Sequence, residues 1–90
     1  MSENEKREGL RRGVMDVLGP RYPHALPAGT IMKHLERERL VDFAPGAEEL
    51  TGALEFCREM TWVEEVRSPV GASSGWKATA AGVLAWERGI

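Results

Sequence analysis

The segment that follows Met60 constrains the fold of this chain most. Up to that residue, apolar side chains recur at helical spacing, and beyond it the pattern changes. Trp62–Arg67 has the composition of a strand, 68–75 is rich in Gly, Ser, Pro and Ala, and Trp76–Ala78 can pair back. The sequence therefore predicts a β-hairpin directly after a helix, with Trp62 and Trp76 facing each other across it.

Two helices are predicted in the first half of the chain. The first occupies 7–18, where apolar residues recur on one helical face, behind a polar segment 1–6 that we expect to be flexible. Three prolines keep the following connector extended, and Tyr22 and Leu26 are its expected anchors. The second helix is expected to start with Thr30 as its N-cap.

Two more helices are predicted on either side of the hairpin. The third should carry Pro45 in its first turn, where a missing amide proton costs nothing. Its apolar stripe is Leu50, Ala53, Leu54 and Cys57. For the last helix, we expect Thr79 to be the N-cap, Gly82 to allow a close approach to the core, and Gly89 to end the helix.

Composition favours a single intracellular domain. The chain has 90 residues, and segment 7–90 is expected to form one compact unit. Cys57 is the only cysteine, so no internal disulfide can form, which favours a reducing compartment. No apolar run approaches the length of a membrane span, and residues 1–8 are charged rather than apolar. We therefore expect a cytoplasmic protein that does not enter a membrane.

The sequence offers no recognisable catalytic or metal-binding pattern. It lacks a nucleophile elbow, a glycine-rich phosphate loop and a HExxH pair. Glu64 and Glu65 are neighbours on a predicted strand, so they face opposite sides and cannot act together. His24, His34 and Cys57 do not have the spacing of zinc ligands. We therefore expect no catalytic residue, no metal, no cofactor and no enzymatic activity.

Two segments carry a family resemblance. Residues 53–63 look like the end of a reading helix followed by a first wing strand. Residues 76–82 are similar to an aromatic-x-x-Thr-x-x-Gly pattern that closes the wing in many bacterial regulators. The chain thus resembles the winged helix-turn-helix superfamily over residues 8–89. The resemblance implies a mainly α fold with a small β-hairpin: a three-helix core, a two-stranded wing and a C-terminal helix.

A narrower resemblance and a function accompany that fold. The length, the YPHALP segment and the WVEEV strand resemble the small winged-helix proteins of Mu-like phages and prophages. The wider family implies a transcriptional regulator that binds double-stranded DNA, with its third helix in the major groove. It also implies a homodimer through the first and last helices, where an exposed Trp86 would suit a two-fold contact. The candidate nucleic-acid contacts are Arg11, Arg12, Lys33, Arg37, Arg39, Thr51, Arg58 and Lys77.

The charges also support a second interpretation. The net charge is −2, and residues 30–60 hold seven acids against four bases. The segment 68–75 carries no Lys or Arg for a minor groove. The outer face of the third helix is expected to carry Glu48, Glu49, Glu55 and Glu59. The alternative is therefore a protein-interaction module that offers this acidic helix to a basic partner.

The basic residues have an alternative interpretation as well. Lys33, Arg37 and Arg39 could contact phosphates or could pair with neighbouring acids at helical spacing. The first helix has a basic run that could contact phosphates or could be a solvated face. The run is Lys6, Arg7, Arg11 and Arg12, and the acids that would balance it are Glu3, Glu5 and Glu8. Trp86 could cover the core of one chain instead of forming a dimer contact.

Overall fold

The computed structural model of this protein describes residues 2–67 and 74–89. Those residues form four helices and one antiparallel two-stranded hairpin, so the predicted mainly α fold with a small hairpin is confirmed. None of the helices in these ranges is long and apolar enough to cross a membrane. The elements are α1 (Glu3–Leu18), α2 (Ala28–Arg37), α3 (Ala47–Glu59), β1 (Val63–Arg67), β2 (Ser74–Ala78) and α4 (Ala80–Glu87).

Helix α1 is the central element, because it contacts α2, α3, α4 and β2. It starts at Glu3 and so extends into the segment 1–6, ahead of the predicted start at Arg7. The Ser2 hydroxyl oxygen accepts the Glu5 amide proton at 3.2 Å, which caps the first turn. The buried face of α1 consists of Leu10, Val14, Met15, Val17 and Leu18.

The connector between α1 and α2 joins the edge of the hairpin. The Leu26 amide donates to the Trp76 carbonyl at 2.9 Å, and the Trp76 amide donates back to the Leu26 carbonyl at 2.8 Å. Leu26 packs against the core, as predicted. The predicted anchoring role of Tyr22 is wrong, because 47% of that residue is exposed. A single pair of backbone hydrogen bonds therefore ties the connector to β2.

Helices α2 and α3 begin at other residues than predicted. Helix α2 starts at Ala28 without a side-chain cap, so Thr30 lies inside its first turn and is not the N-cap. Helix α3 starts at Ala47, so Pro45 precedes the helix instead of occupying its first turn. The reason is a carboxylate, since Glu49 Oε1 accepts the Gly46 amide proton at 2.9 Å and closes the turn there.

Both α2 and α3 end in a left-handed turn at a residue other than glycine. Arg39 has φ of 53° and Thr61 has φ of 64°. The Leu40 amide donates to the Leu35 carbonyl at 3.1 Å, and the Trp62 amide donates to the Cys57 carbonyl at 2.9 Å. These are the hydrogen bonds of the Schellman motif, usually marked in a sequence by glycine. Because no glycine indicates the turn after α3, the prediction from the sequence began the strand one residue early, at Trp62.

The hairpin register separates the two tryptophans that were predicted to face each other. Trp76 pairs with Glu65, while β1 begins at Val63 opposite Ala78. Trp62 precedes β1, and its ring contacts Phe56 in an edge-to-face arrangement with centroids 6.1 Å apart. The predicted cross-strand Trp pair is therefore wrong, because Trp62 belongs to the turn after α3.

Helix α4 packs closely against that turn. The Thr79 hydroxyl accepts the Gly82 amide proton at 2.9 Å and donates to the Thr61 carbonyl, so the predicted cap is confirmed. A Cβ on Gly82 would lie 2.0 Å from the Trp62 carbonyl oxygen, so the predicted close approach is confirmed too. Gly89 has φ of 84° after the end of the helix, as its predicted role requires.

The hydrophobic core lies between α1, α2, α3 and the hairpin. The predicted stripe of α3 is buried in full: Leu50, Ala53, Leu54 and Cys57 are at most 5% exposed. Met60, where the stripe ends, is 45% exposed. Leu40 and Phe43, in the turn between α2 and α3, are half-buried and pack against this core. The outward faces of α2 and α3 lie outside this core and are exposed.

Candidate functional site

Helix α2 and the turn after it carry three positive charges that form no ion pair within the described residues. Lys33 and Arg37 are one turn apart on the side opposite the buried Ile31 and Leu35, and Arg39 follows in the left-handed turn. Lys33, Arg37 and Arg39, here called the basic ridge, are all exposed. None of the three forms an ion pair with another residue in 2–67 or 74–89. The alternative expectation, pairing with neighbouring acids, is not what the structure shows.

Two acids lie next to the ridge in sequence: Glu36 is exposed and forms no ion pair within the described residues, while Glu38 is engaged by other residues. Glu38 Oε2 lies 2.7 Å from His34 Nδ1 and 3.7 Å from Arg21 Nη2. Arg21 also donates from Nη1 to the Val17 carbonyl at 2.7 Å, so it is held against α1. The Glu38 carboxylate is thus paired with His34 and Arg21, and not with a residue of the basic ridge.

Helix α3 presents the opposite charge. Glu48, Glu55 and Glu59 lie within one narrow arc of the helix, directly opposite the buried stripe. These three residues, here called the acidic stripe, are exposed and form no ion pair within the described residues. Glu49 was predicted to belong to the same face, but its carboxylate closes the α3 cap.

Thr51 and Arg58, the two predicted nucleic-acid contacts on α3, are engaged within the chain. The Thr51 hydroxyl donates to the Ala47 carbonyl of its own helix at 3.0 Å. Arg58 Nη1 lies 3.9 Å from Glu65 Oε1 on β1. An exposed pair of this kind contributes about 0–1 kcal/mol, so its main effect is to balance the local charge. Helix α3 is therefore left with a net negative outer face.

Charged residues of the hairpin are also paired with carboxylates. Lys77 Nζ lies 3.0 Å from Glu64 Oε1 on the opposite strand, and Arg67 Nη2 lies 3.6 Å from Glu65 Oε1. The predicted tip without a basic residue falls mostly on 68–73, which lie outside the described residues. Lys77 thus differs from the basic ridge, because it has a carboxylate partner.

Arg11 and Arg12 on α1 are directed toward other elements than α2. The Arg11 guanidinium carbon lies 3.5 Å from the centre of the Phe56 ring, close enough for a cation–π contact. Arg12 Nη2 donates to the Gly89 carbonyl at 3.5 Å, beyond the end of α4. The structure therefore does not bring these two predicted contacts together with Lys33, Arg37 and Arg39.

Other residues of α1 face the acids at the start of α3. A cleft of about 380 Å³ is lined by Lys6 and Arg7 on α1 and by Glu48 and Glu49 on α3. Lys6 Nζ lies 5.7 Å from the centre of the Phe43 ring. Opposite charges thus meet across this cleft, but the predicted balance of the α1 bases by Glu3, Glu5 and Glu8 stays a prediction.

Cys57 is a core thiol. It is fully buried, and burial raises the pKa of this thiol from 9.0 to about 11, a rise that the charge of Arg11 opposes. Within 2–67 and 74–89, no group of three or more His, Cys, Asp or Glu side chains could hold a metal ion. Cys57 therefore stays protonated at neutral pH and acts as a small apolar side chain.

Trp86 was predicted either as an exposed dimer contact or as a cover for the core. It is half-buried, its indole Nε1 donates to Asp16 Oδ1 at 2.9 Å, and its ring packs over Gly19. Trp86 therefore packs against the core of its own chain, and its role in a dimer contact stays a prediction. Leu84, on the opposite side of α4, is 53% exposed.

Phe56 and its contact with Arg11 were not identified from the sequence. Phe56 adjoins Cys57, and nothing in its spacing distinguishes it from a core residue at the edge of the α3 stripe. Its two ring contacts, with Arg11 and Trp62, come from elements that only the folded chain brings together.

No family model, curated protein or solved structure matches this chain. Its function is therefore inferred from the fold and the placement of its charges.

Proposed function

We propose that this chain is a winged-helix protein that binds double-stranded DNA through phosphate contacts from its basic ridge, and that it serves as a transcriptional regulator. The element order supports the fold: a three-helix core, a short connector paired to the hairpin edge at Leu26, a hairpin after α3 and a closing helix. In a helix-turn-helix, the helix in the position of α2 crosses the DNA backbone while the next helix enters the major groove.

The observation that carries this proposal is that Lys33, Arg37 and Arg39 are exposed and form no ion pair within the described residues. Phosphate contacts by Lys and Arg supply most of the non-specific affinity of DNA-binding proteins. Side chains already paired within the protein contribute less, because the pair must first be broken. The bases on α2 and in its C-terminal turn are therefore better placed for this role than Arg58 or Lys77.

The charges on α2 and α3 predict how strongly salt should weaken DNA binding. A glutamate in the major groove can accept a hydrogen bond from cytosine, but a carboxylate near phosphates is repelled. Three available cations allow about three phosphate contacts, so the slope of log K against log salt should be about −2.7. A strongly basic regulator would show a much steeper salt dependence.

The test is a titration with a mixed-sequence duplex at several salt concentrations, followed by fluorescence anisotropy of the labelled DNA. Replacing Arg37 by alanine should weaken binding and make the slope shallower by about 0.9. Arg88→Ala, which removes an exposed charge at the end of α4, is the matched control and should change neither quantity. No binding at millimolar protein would reject the proposal, since ordinary non-specific Kd values are about 10⁻⁴ to 10⁻⁶ M.

A second candidate function is a protein-interaction module for a basic partner. It is favoured by the acidic stripe, whose three carboxylates lack partners within the described residues while the α3 base Arg58 is paired with Glu65. The double variant Glu55→Gln/Glu59→Gln distinguishes the two candidates. Loss of these charges should strengthen duplex binding if α3 faces DNA, and should weaken binding of a lysine-rich peptide if α3 faces a protein.

A further inference from the structure

Two exposed helix faces of this chain carry opposite charges and do not pair with each other. The basic ridge lies on α2 and in the turn after it, and the acidic stripe lies on α3, which contacts α2. Within 2–67 and 74–89, no side chain of either face forms an ion pair. A partner that fits both faces must therefore carry charges of both signs itself.

The two faces match in spacing as well as in sign. Lys33 and Arg37 are four residues apart on α2, and so are Glu55 and Glu59 on α3. Each pair lies within an arc of about 40° and spans roughly 6 Å along its helix. Gly52, on the same side of α3, adds no side chain that would hold a second helix away. Two cations on one helix can therefore face two carboxylates on another helix at the same time.

The neighbouring charges weaken these two faces without cancelling them. Glu36, the other exposed acid on α2, lies about 60° around the helix from Lys33 and about 100° from Arg37, so it borders the ridge. On α3, Glu48 lines the cleft that bases of α1 also line, and Arg58 is paired with a carboxylate of β1. The central part of each face therefore keeps one sign of charge.

We propose that the basic ridge of one copy of this chain docks on the acidic stripe of a second copy. Lys33 and Arg37 of one copy then face the carboxylates of Glu55 and Glu59 in the other copy. The second proposed function calls for a basic partner of the acidic stripe, and every further copy of the chain supplies one. This inference therefore rests on the second proposed function and names its partner.

The proposed contact covers the surface that we propose for DNA. A ridge docked on a carboxylate stripe cannot contact phosphates, so self-association would regulate duplex binding. Because each copy carries both faces, the contact closes a dimer about a two-fold axis or continues as a head-to-tail chain. Exposed ion pairs are individually weak, so the expected Kd is roughly 10⁻⁴ to 10⁻³ M at low salt.

The test is sedimentation of the full chain at concentrations up to about a millimolar, at low salt and at about 1 M salt. We expect the average mass to rise with protein concentration at low salt. At high salt it should fall to the mass of one chain, because exposed charges are screened beyond about 3 Å at 1 M salt. Either a dimer or a longer assembly at low salt supports the contact.

Two complementary double variants locate the contact. Lys33→Glu/Arg37→Glu reverses the ridge, and Glu55→Lys/Glu59→Lys reverses the stripe. Each variant alone should stay monomeric, because its two faces then carry the same sign. Mixing the two should restore association, and the amide NMR signals that shift should be those of α2 and α3.

A matched control changes the net charge without touching either face. Arg67→Glu/Arg88→Glu alters it by the same amount as the ridge variant, at two exposed residues on β1 and after α4. This control should associate as the parent chain does. Loss of association in the control would assign the effect to net charge and overturn the inference.

The contrary outcomes separate this inference from the proposed functions. A chain that stays monomeric at low salt, but whose stripe binds a lysine-rich peptide, would overturn the self-contact and leave the interaction module in place. Absence of both would overturn both, without bearing on duplex binding through the basic ridge. Association that persists at high salt or survives both charge reversals would assign it to another surface, such as the exposed Leu84 of α4.

Discussion

Gly82 illustrates how one missing side chain determines the position of a helix. The first turn of α4 lies against the Trp62 backbone, and a Cβ at this position would fall 2.0 Å from the Trp62 carbonyl oxygen. Backbone atoms cannot move aside as the end of a flexible side chain can. The close contact between α4 and the turn after α3 therefore depends on glycine at this residue.

We expect Gly82→Ala to destabilise the protein by about 3 kcal/mol or more, because the helix must shift away from the turn. The free energy of unfolding, measured by urea titration, is the appropriate quantity. Gly9→Ala is the matched control in another helix, where the new methyl group meets no atom within 4 Å. That change should stabilise α1 by roughly 0.5–1 kcal/mol, and equal effects of the two changes would contradict the packing described.

Cys57 gives a second prediction at the residue scale. In the folded protein its thiol titrates at about pH 11, against 9.0 for the exposed group. The fold therefore favours the neutral thiol. The resulting contribution to the free energy of unfolding is fully present below pH 9 and is lost as the pH rises toward 11. The loss should be on the order of 2–3 kcal/mol.

The measurement compares urea unfolding of the parent chain and of Cys57→Ala below pH 9 and near pH 11. Other groups that titrate in this range affect both proteins equally. The parent should lose more stability than the variant, and parallel losses would show that the thiol ionises without cost in the folded state. A thiol reagent at neutral pH should react only as fast as the protein unfolds.

At the scale of an element, α4 depends on a single side chain at its start. The Thr79 hydroxyl accepts the Gly82 amide proton and also donates to the Thr61 carbonyl in the turn after α3. This residue therefore caps a helix and joins it to the end of another helix. The Ser2 cap of α1 has only the first of these roles, at an exposed end of the chain.

Thr79→Ala should therefore cost about 1–2 kcal/mol of unfolding free energy, the upper part of the range for N-caps. Thr79→Ser keeps the hydroxyl and should recover most of that loss. Ser2→Ala removes a cap whose helix end can fray, so it should cost clearly less. Equal costs for the Thr79→Ala and Ser2→Ala changes would show that the bond to Thr61 adds nothing.

At the scale of the whole molecule, Trp76 joins the connector to the hairpin and the core. Trp76 exchanges two backbone hydrogen bonds with Leu26 and is 8% exposed, so its side chain links the connector, the hairpin and the core. Because α1 and the hairpin are distant in sequence, this contact forms only when the chain closes.

We expect Trp76→Ala to cost about 3–5 kcal/mol, a large share of the stability of a domain of this size. Val66→Ala, on the same hairpin but 37% exposed, is the control and should cost less than about 1 kcal/mol. Hydrogen exchange should show the Leu26 amide losing protection in the Trp76 variant. Full protection of that amide would mean that the connector holds its place without the tryptophan.

The local pattern of the sequence determined the order of the elements, the buried stripe of α3 and the roles of Thr79, Gly82 and Gly89. These depend on spacing and on the backbone preferences of single residues, which act over a few positions. It did not indicate the starts of α2 and α3 correctly, because Glu49 and the uncapped Pro27–Ala28 turn compete with the more usual signals at Pro45 and Thr30.

The tertiary structure decided which of the candidate nucleic-acid contacts form ion pairs within the protein. The sequence identified Lys33, Arg37 and Arg39 as one possible group, but which bases are paired was decided by distant carboxylates such as Glu65 and Glu64. The same holds for Trp62, which meets Phe56 instead of Trp76, and for Arg11, which stacks on that ring. Such contacts join residues far apart in the chain, so only the closed fold selects among them.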